Sequence, residues 1–351
     1  MIRRLSVKGI TVFPEEQLFP FVPGLNIFVG GNDSGKSHLM RLCYAVCKWS
    51  TGDSRKDLPV TWAEEKRLRQ DLLRAFGVRE LSTLVSRFRP AEAAVVHASL
   101  YGEDTPIGSA ELEFRLQAGA EAPEMLQLPQ RFTAGNAVFL APQEVLSVYP
   151  YYVQVGRRYP ELLDSATREL CRALETEPTQ LPSPAMCHIL ALTERLLRGK
   201  LVRRSGRFYL QRPGQEPLEL MAEGFKRTGT LALLIENGSV GPGTTLFWDE
   251  PEMNLNAAHL PQLVQILLAL AKAGVQVMLT THSLFLLREL TIQLAETPKP
   301  PSHRFFGLTP LEQGVRVCHA DALTGLDTPE SLEAEMIQAD RYLSLRQSPT
   351  A

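Results

Sequence analysis

The sequence is short of cysteine, of net charge and of long apolar runs, and each shortage excludes a class of protein. Cys43, Cys47, Cys171, Cys187 and Cys318 are the only cysteines in 351 residues, odd in number and widely scattered. No pair has zinc-ribbon spacing, and a small disulfide scaffold is excluded. Reduced thiols in a cytoplasmic setting are expected. Lys plus Arg number 37 and Asp plus Glu 39, a formal net charge of −2. A chain that holds nucleic acid by overall positive charge is therefore excluded, leaving only local basic patches. The most apolar window, 260–279, is interrupted by Gln262, Gln265, Lys272, Gly274 and Gln276. It lacks the roughly 20 clean apolar residues that span a bilayer. The opening Met-Ile-Arg-Arg-Leu-Ser-Val-Lys alternates and soon reaches Pro14, so no apolar signal core is expected. No membrane association is expected.

What is present is an ordinary globular composition, 44% hydrophobic and 22% charged. The length exceeds the size at which one core usually stops growing, so one elaborated domain or two are expected. Residues 2–10 alternate as a strand, and residues 11–22 read as a turn and an edge strand. Residues 25–29 form a short apolar run that ends in a glycine loop, and residues 37–49 carry helical spacing. A charged amphipathic helix is predicted over 62–88, with a break at Gly77. Residues 93–101 and 110–117 flank a turn at 102–106 and predict a hairpin. Helices are predicted over 160–176, 186–198, 222–236 and 257–273, with a second hairpin around Ser205-Gly206. Residues 245–248 and 275–280 read as buried strands, with Trp248 as core packing. Residues 305–308 and 315–318 predict a short strand pair. Thr328-Pro329-Glu330 reads as the start of a last helix. Strands alternating with helices predict an α/β fold: a largely parallel sheet flanked by helices.

Gly30, Gly31, Asn32, Asp33, Ser34, Gly35, Lys36 and Ser37 fit the pattern of a phosphate loop, between a strand and a helix as that chemistry requires. Glycines let successive N–H groups converge on phosphate oxygens, and the helix dipole adds to them. Lys36 would reach the terminal phosphates and Ser37 would ligate Mg2+. His38, next in line, is counted with the nucleotide-binding residues. Asp249 and Glu250 follow a second apolar strand. There a carboxylate could anchor Mg2+ and its neighbour could activate water. His282 ends a third strand, on the rim where ligands of parallel sheets sit. A neutral imidazole there could sense the γ-phosphate. Basic residues gather along the inserted helix (Lys66, Arg67, Arg69, Arg74, Arg79, Arg87 and Arg89) and in the hairpin (Arg203, Arg204, Arg207 and Arg212). They are interleaved with acids, and a solvated face is the expected role.

Lys36 and Asp249 lie 213 positions apart, so a large insertion separates the halves of the site. The phosphate loop, the Asp-Glu-Pro-Glu-x-Asn-Leu-Asn run at 249–256 and the Thr-Thr-His-Ser segment at 280–283 resemble the SMC-like branch of ABC-type ATPases. More closely, the chain resembles compact bacterial AAA-family ATP-binding proteins related to the ATPase half of the overcoming-lysogenization-defect nucleases. The resemblance implies a P-loop NTPase fold with an inserted helical and hairpin lid. Its segments are residues 1–50 and 221–351 as the two halves of the ATPase core, 51–135 as the insertion, and 136–220 as the Q-loop strand and lid.

It also implies ATP and Mg2+ as cofactors, a homodimer or higher oligomer, and an effector partner such as a nuclease or toxin, with nucleic acid as a further candidate. Gln143 falls where the family's Q-loop glutamine contacts Mg2+ and water. Gly224 falls in the signature segment, which in the family meets the γ-phosphate held by the other subunit. Here that segment reads Met-Ala-Glu-Gly-Phe-Lys-Arg (221–227), with Ala222 in place of the usual serine. Asn254 and Asn256 match the family's loop that crosses the dimer. Long coiled-coil arms are missing. Roughly 70 residues follow His282, too few for a Toprim nuclease unit. The expected activity is ATP hydrolysis that switches a dimer and its effector, in anti-phage defence or DNA transactions. A non-hydrolysing ATP-dependent scaffold is the alternative, and a transport ATPase fits the signature segment less well.

Overall fold

Leu25–Val29 is buried at every position, and it is the centre from which the fold is laid out. A computed structural model of the chain describes residues 1–50, 64–89, 92–101, 109–129, 135–159, 162–178, 180–204, 206–212, 215–326 and 337–344. The predicted loop at 51–60, the hairpin turn at 102–106 and the helix start at 328–330 lie outside the described residues.

In chain order the elements are β1 (Ile2–Lys8), β2 (Gln17–Pro20), β3 (Leu25–Val29), α1 (Lys36–Ser50), α2 (Glu64–Phe76), β4 (Ala94–Tyr101), β5 (Ser109–Leu116), β6 (Glu124–Gln127) and β7 (Ala137–Leu140). Then come α3 (Tyr149–Tyr151), α4 (Ser165–Glu175), α5 (Pro184–Leu197), β8 (Lys200–Arg204), β9 (Arg207–Gln211), β10 (Gln215–Pro217) and α6 (Glu223–Glu236). The last are β11 (Thr245–Asp249), α7 (Leu260–Lys272), β12 (Gln276–Thr281), α8 (Leu284–Glu296), β13 (His303–Leu311) and β14 (Gly314–Ala320).

The central sheet has six strands in the order β14-β13-β3-β12-β11-β7. Its pairings are parallel except for β14 on β13. Each parallel strand is apolar on both faces, as a sheet covered on both sides requires. Leu25, Ile27 and Val29 of β3 pack into one core with Leu246 and Trp248 of β11. That core is closed by α4 to α8, through residues such as Leu170, Ile189, Leu263 and Leu287. Phe28, Phe247 and Met278 point to the opposite face, where α1 supplies Leu39, Leu42 and Trp49.

The second core also joins the central sheet to a five-stranded antiparallel sheet, β2-β1-β4-β5-β6. β4 and β5 therefore form the expected hairpin, and β4 also pairs with β1 over Ile2–Lys8. Gln276 fastens the two sheets. Its side-chain amide donates to the carbonyls of Ile2 (2.7 Å) and Val22 (2.8 Å), and its Oε1 accepts from the Ile2 N–H at 3.0 Å. The helix predicted over 62–88 ends at Phe76. Gly77 takes a left-handed φ of +68°, and both Gly77 and Val78 donate backward to the Leu73 carbonyl, which closes the last turn. A 3-10 turn at 81–84 follows in place of further α-helix.

Candidate nucleotide site

β3, β12 and β11 are neighbours, so the loops that leave their carboxyl ends lie side by side. The first is the phosphate loop, which enters α1 at Lys36. Its tight curl places Asp33 at φ +59° and Gly35 at φ +84°. A Cβ on Gly35 would lie 2.5 Å from Val12 Cγ2, so only glycine fits between the loop and the chain packed on it.

Lys36 is 7% exposed, and its Nζ donates to the carbonyls of Gly30 (2.8 Å) and Gly31 (2.6 Å). Burial lowers its pKa, opposed by the nearby carboxylates of Glu250, Asp249 and Glu252. The next side chain crosses to β11: Ser37 Oγ donates to Asp249 Oδ2 at 3.1 Å. Asp249 Oδ1 accepts a hydrogen bond from Thr280 Oγ1 of the intervening strand. Glycine loop, serine and aspartate thus form one connected unit.

Beyond the strand ends the contacts continue. Glu250 Oε1 lies 2.9 Å from His282 Nδ1. Glu252 Oε1 accepts from Thr281 Oγ1, while its buried Oε2 has no partner. Burial raises the Glu252 pKa, opposed by the Thr281 hydrogen bond. Glu250 is held at φ +49°, a left-handed conformation that costs a non-glycine residue about 1–2 kcal/mol. Its N–H donates to the Thr280 carbonyl at 3.2 Å and to Thr280 Oγ1 at 3.1 Å.

Arg227 emerges from α6 beneath these loops. It is 4% exposed, and its two Nη atoms donate to the carbonyls of Glu250 (2.7 Å), Asp249 (2.6 Å) and Ala141 (3.4 Å). Burial lowers its pKa, with Glu252, Asp249 and Glu250 opposing. The residue stands in the signature-like segment, but the one-dimensional pattern gives no sign that it reaches back under the acidic strand. Thr280, Thr281 and Glu252 stand in the runs that carry the resemblance, but the runs themselves do not give the contacts that these side chains make here.

Gly224 lies in the first turn of α6, whose N-cap Ala222 makes no side-chain capping bond. A Cβ on Gly224 would sit 2.5 Å from the Asn254 carbonyl oxygen. The helix start therefore rests directly on the 250–256 segment. His38 packs its ring against Phe76, with centroids 6.2 Å apart, and its buried Nδ1 has no partner. Burial and the nearby Arg41 lower its pKa. Gln143 stands apart from the hydrogen-bonded unit. It is exposed beyond β7 and lines a cavity of about 280 Å³ with Arg41, Tyr44, Asp164 and Glu169.

Several of the clustered arginines are tied to local acids: Arg67 to Glu64 at 3.0 Å and Arg203 to Glu177 at 3.1 Å. Arg203 also donates to Tyr149 Oη and the Leu174 carbonyl. These contacts agree with a solvated, structural role.

The donor set suits a nucleotide and its divalent ion. Ser37 Oγ and Asp249 offer hard oxygens to Mg2+, which commonly takes few protein ligands and completes its shell with phosphates and water. Lys36 and the N-terminus of α1 supply the positive field that a triphosphate needs. No helix among the described residues is long and apolar enough to cross a membrane.

Comparison with known proteins bears on the fold. Residues 165–288 match the family described as "AAA domain, putative AbiEii toxin, Type IV TA system". That segment holds Gly224, Arg227, Asp249, Glu250 and His282, whereas the phosphate loop lies before it. No curated protein sequence matches the chain. Among solved structures, an SMC head bound to the C-winged-helix domain of ScpA aligns with a TM-score of 0.58 at 14% identity, covering 92% of this chain and 98% of that one. A Pyrococcus furiosus Smc head with an extended coiled coil, bound to the C-terminal domain of ScpA, gives 0.54 at 14% identity, covering 97% and 99%. The Thermotoga maritima SMC head gives 0.51 at 16% identity, covering 91% and 98%. Residues 165–288 are thus similar to an AAA-family domain, and the chain shares the fold of SMC heads, with a mostly parallel sheet flanked by helices.

Proposed function

We propose that this chain binds ATP with Mg2+, hydrolyses it, and uses the cycle to close and open a dimer that governs a partner effector. The observation that carries this reading is the unbroken contact path from the phosphate loop through Ser37, Asp249 and Thr280 to the Glu250–His282 pair. Lys36 would hold the β- and γ-phosphates once its Nζ leaves the loop carbonyls. Mg2+, held by Ser37 and Asp249, would neutralise phosphate charge as it builds. Glu250 would take a proton from the attacking water, and His282 would orient that carboxylate and face the γ-phosphate. Such phosphoryl transfer is mostly positioning and charge neutralisation.

The dimer is supported by the uncapped start of α6 at Ala222 and by exposed Asn254 on the segment that Gly224 touches. Free N–H groups at a helix start suit a phosphate presented by a second copy. Gln143 would join the site if the segment that follows β7 moves toward Asp249. Two of the similar heads are described bound to part of ScpA, and the matched family description names a toxin; these descriptions support a protein effector. Anti-phage defence is the proposed setting, in the cytoplasm, with nucleic acid a candidate ligand.

Phosphate release by the purified protein tests the reading. Glu250→Gln should keep ATP binding, lower turnover by about 10²–10⁴-fold and hold the closed dimer. Lys36→Ala should lose nucleotide affinity instead. Wild-type turnover by Glu250→Gln would remove Glu250 from the chemistry. A second reading, in which ATP only scaffolds an assembly, is favoured by the alanine at 222, since its missing hydroxyl weakens the contact across the dimer. No phosphate release together with ATP-dependent dimerisation would select it.

A further inference from the structure

We propose that Arg227 is the positioning residue that holds Glu250 in its left-handed conformation and couples the start of α6 to the hydrolytic carboxylate. The inference rests on the functional reading above and extends it to a buried arginine of α6 that donates to the main-chain carbonyls of Glu250, Asp249 and Ala141.

Glu250 at φ +49° needs its backbone captured to stay there. Its N–H is taken by Thr280. Its carbonyl is taken from two sides, by Arg227 Nη1 at 2.7 Å and by the Met253 N–H at 3.0 Å. The same guanidinium reaches the Asp249 carbonyl at 2.6 Å and, more weakly, Ala141 at 3.4 Å. One side chain thus fastens α6 to the ends of both β11 and β7.

A planar guanidinium can serve several carbonyls from two nitrogens, which a lysine ammonium cannot do from one. The second attachment lies one turn earlier, where Gly224 abuts the Asn254 carbonyl. With contacts at residues 224 and 227, α6 and the 249–254 segment move together. A partner or phosphate engaged at the α6 start would therefore reorient Glu250, although Gly224 and Glu250 touch different groups. Loss of Arg227 leaves the Glu250 carbonyl only its Met253 N–H bond, lets its φ relax and misdirects the carboxylate from His282.

Arg227→Met and Arg227→Lys test this in the full chain. Phosphate release, affinity for a fluorescent ATP analogue with Mg2+, and amide hydrogen exchange at Glu250 and Met253 are the readouts. Arg227→Met should retain nucleotide affinity within about threefold and lose about 10²-fold in kcat, the scale of a small misplacement at the reacting centre. Its Glu250 and Met253 amides should exchange faster than in wild type, and Arg227→Lys should fall between on both readouts. Unchanged kcat in Arg227→Met, or unchanged exchange at both amides, overturns the proposal. The exchange measurement needs no turnover. If the wild-type chain releases no phosphate, the functional reading fails, while exchange still decides whether Arg227 holds Glu250. Should Arg227→Met not fold, Arg227→Lys decides instead: faster exchange at both amides supports the proposal, and wild-type exchange overturns it.

Discussion

Glu250 and His282 meet across adjacent strand ends, Oε1 to Nδ1 at 2.9 Å, although 32 positions separate them. Parallel pairing of β11 with β12 in the register Asp249↔Thr280 brings them together. The histidine is half exposed and the glutamate mostly buried, so the pair presents one accessible face. An orienting partner of this kind fixes the carboxylate before substrate arrives.

His282→Ala should therefore lower ATP turnover by about 10²-fold while nucleotide affinity stays close to wild type. Steady-state phosphate release beside equilibrium binding checks this. An equal loss in both would make His282 a binding group only.

Glu252 makes stability depend on pH. Its folded carboxyl titrates above the ordinary 4.5 because it is buried. A carboxyl raised on folding holds its proton more tightly in the folded chain. Its favourable contribution is complete below about pH 4.5 and is lost as pH rises through the raised folded value. Glutamine does not titrate and still accepts from Thr281. Relative to wild type, Glu252→Gln should gain stability between pH 4.5 and neutrality. Denaturant unfolding of both chains across that range reads the difference; a flat difference would contradict the assignment.

Gln276 is wholly buried and serves Ile2 and Val22 at once. Gln276→Leu would leave an N–H and two carbonyls without that partner, each costing about 1–3 kcal/mol if no water enters. A loss of about 2–4 kcal/mol is expected in denaturant unfolding. A midpoint unchanged from wild type would mean that other contacts join the two sheets.

Gly224→Ala places a methyl 2.5 Å from the Asn254 oxygen, and the backbone must shift to admit it. Overpacking of this kind costs about 1–3 kcal/mol. The larger expected effect is on ATP-dependent dimerisation, read by light scattering with Glu250→Gln as background. Dimer formation equal to that of the glycine chain would take the α6 start out of the interface.

The candidate phosphate loop was legible because its pattern is local: glycines, a lysine and a serine in one contiguous turn between a strand and a helix. Asp249, Glu250 and His282 were legible because each ends an apolar run, and such ends gather on one rim of a parallel sheet. Arg227 was not, because nothing in the helical spacing of α6 shows that the guanidinium reaches the Glu250 carbonyl of a strand further along the chain. The link between β1 and β4 was hidden for the same reason. Alternation marks a strand but does not name its neighbour across an intervening helix.

By itself, the order of residues determined most of the strands and helices, a glycine-rich loop between a strand and a helix, and the set of acids and the histidine that could serve a nucleotide. These depend on short-range periodicity and on backbone preferences carried by a few neighbouring residues. Only the tertiary structure decided that Ser37 meets Asp249, that Glu250 is bent toward His282, and that Arg227 holds the bend from below. Those contacts arise from packing two faces of one sheet at once, where burial leaves each carbonyl and carboxylate few partners within reach.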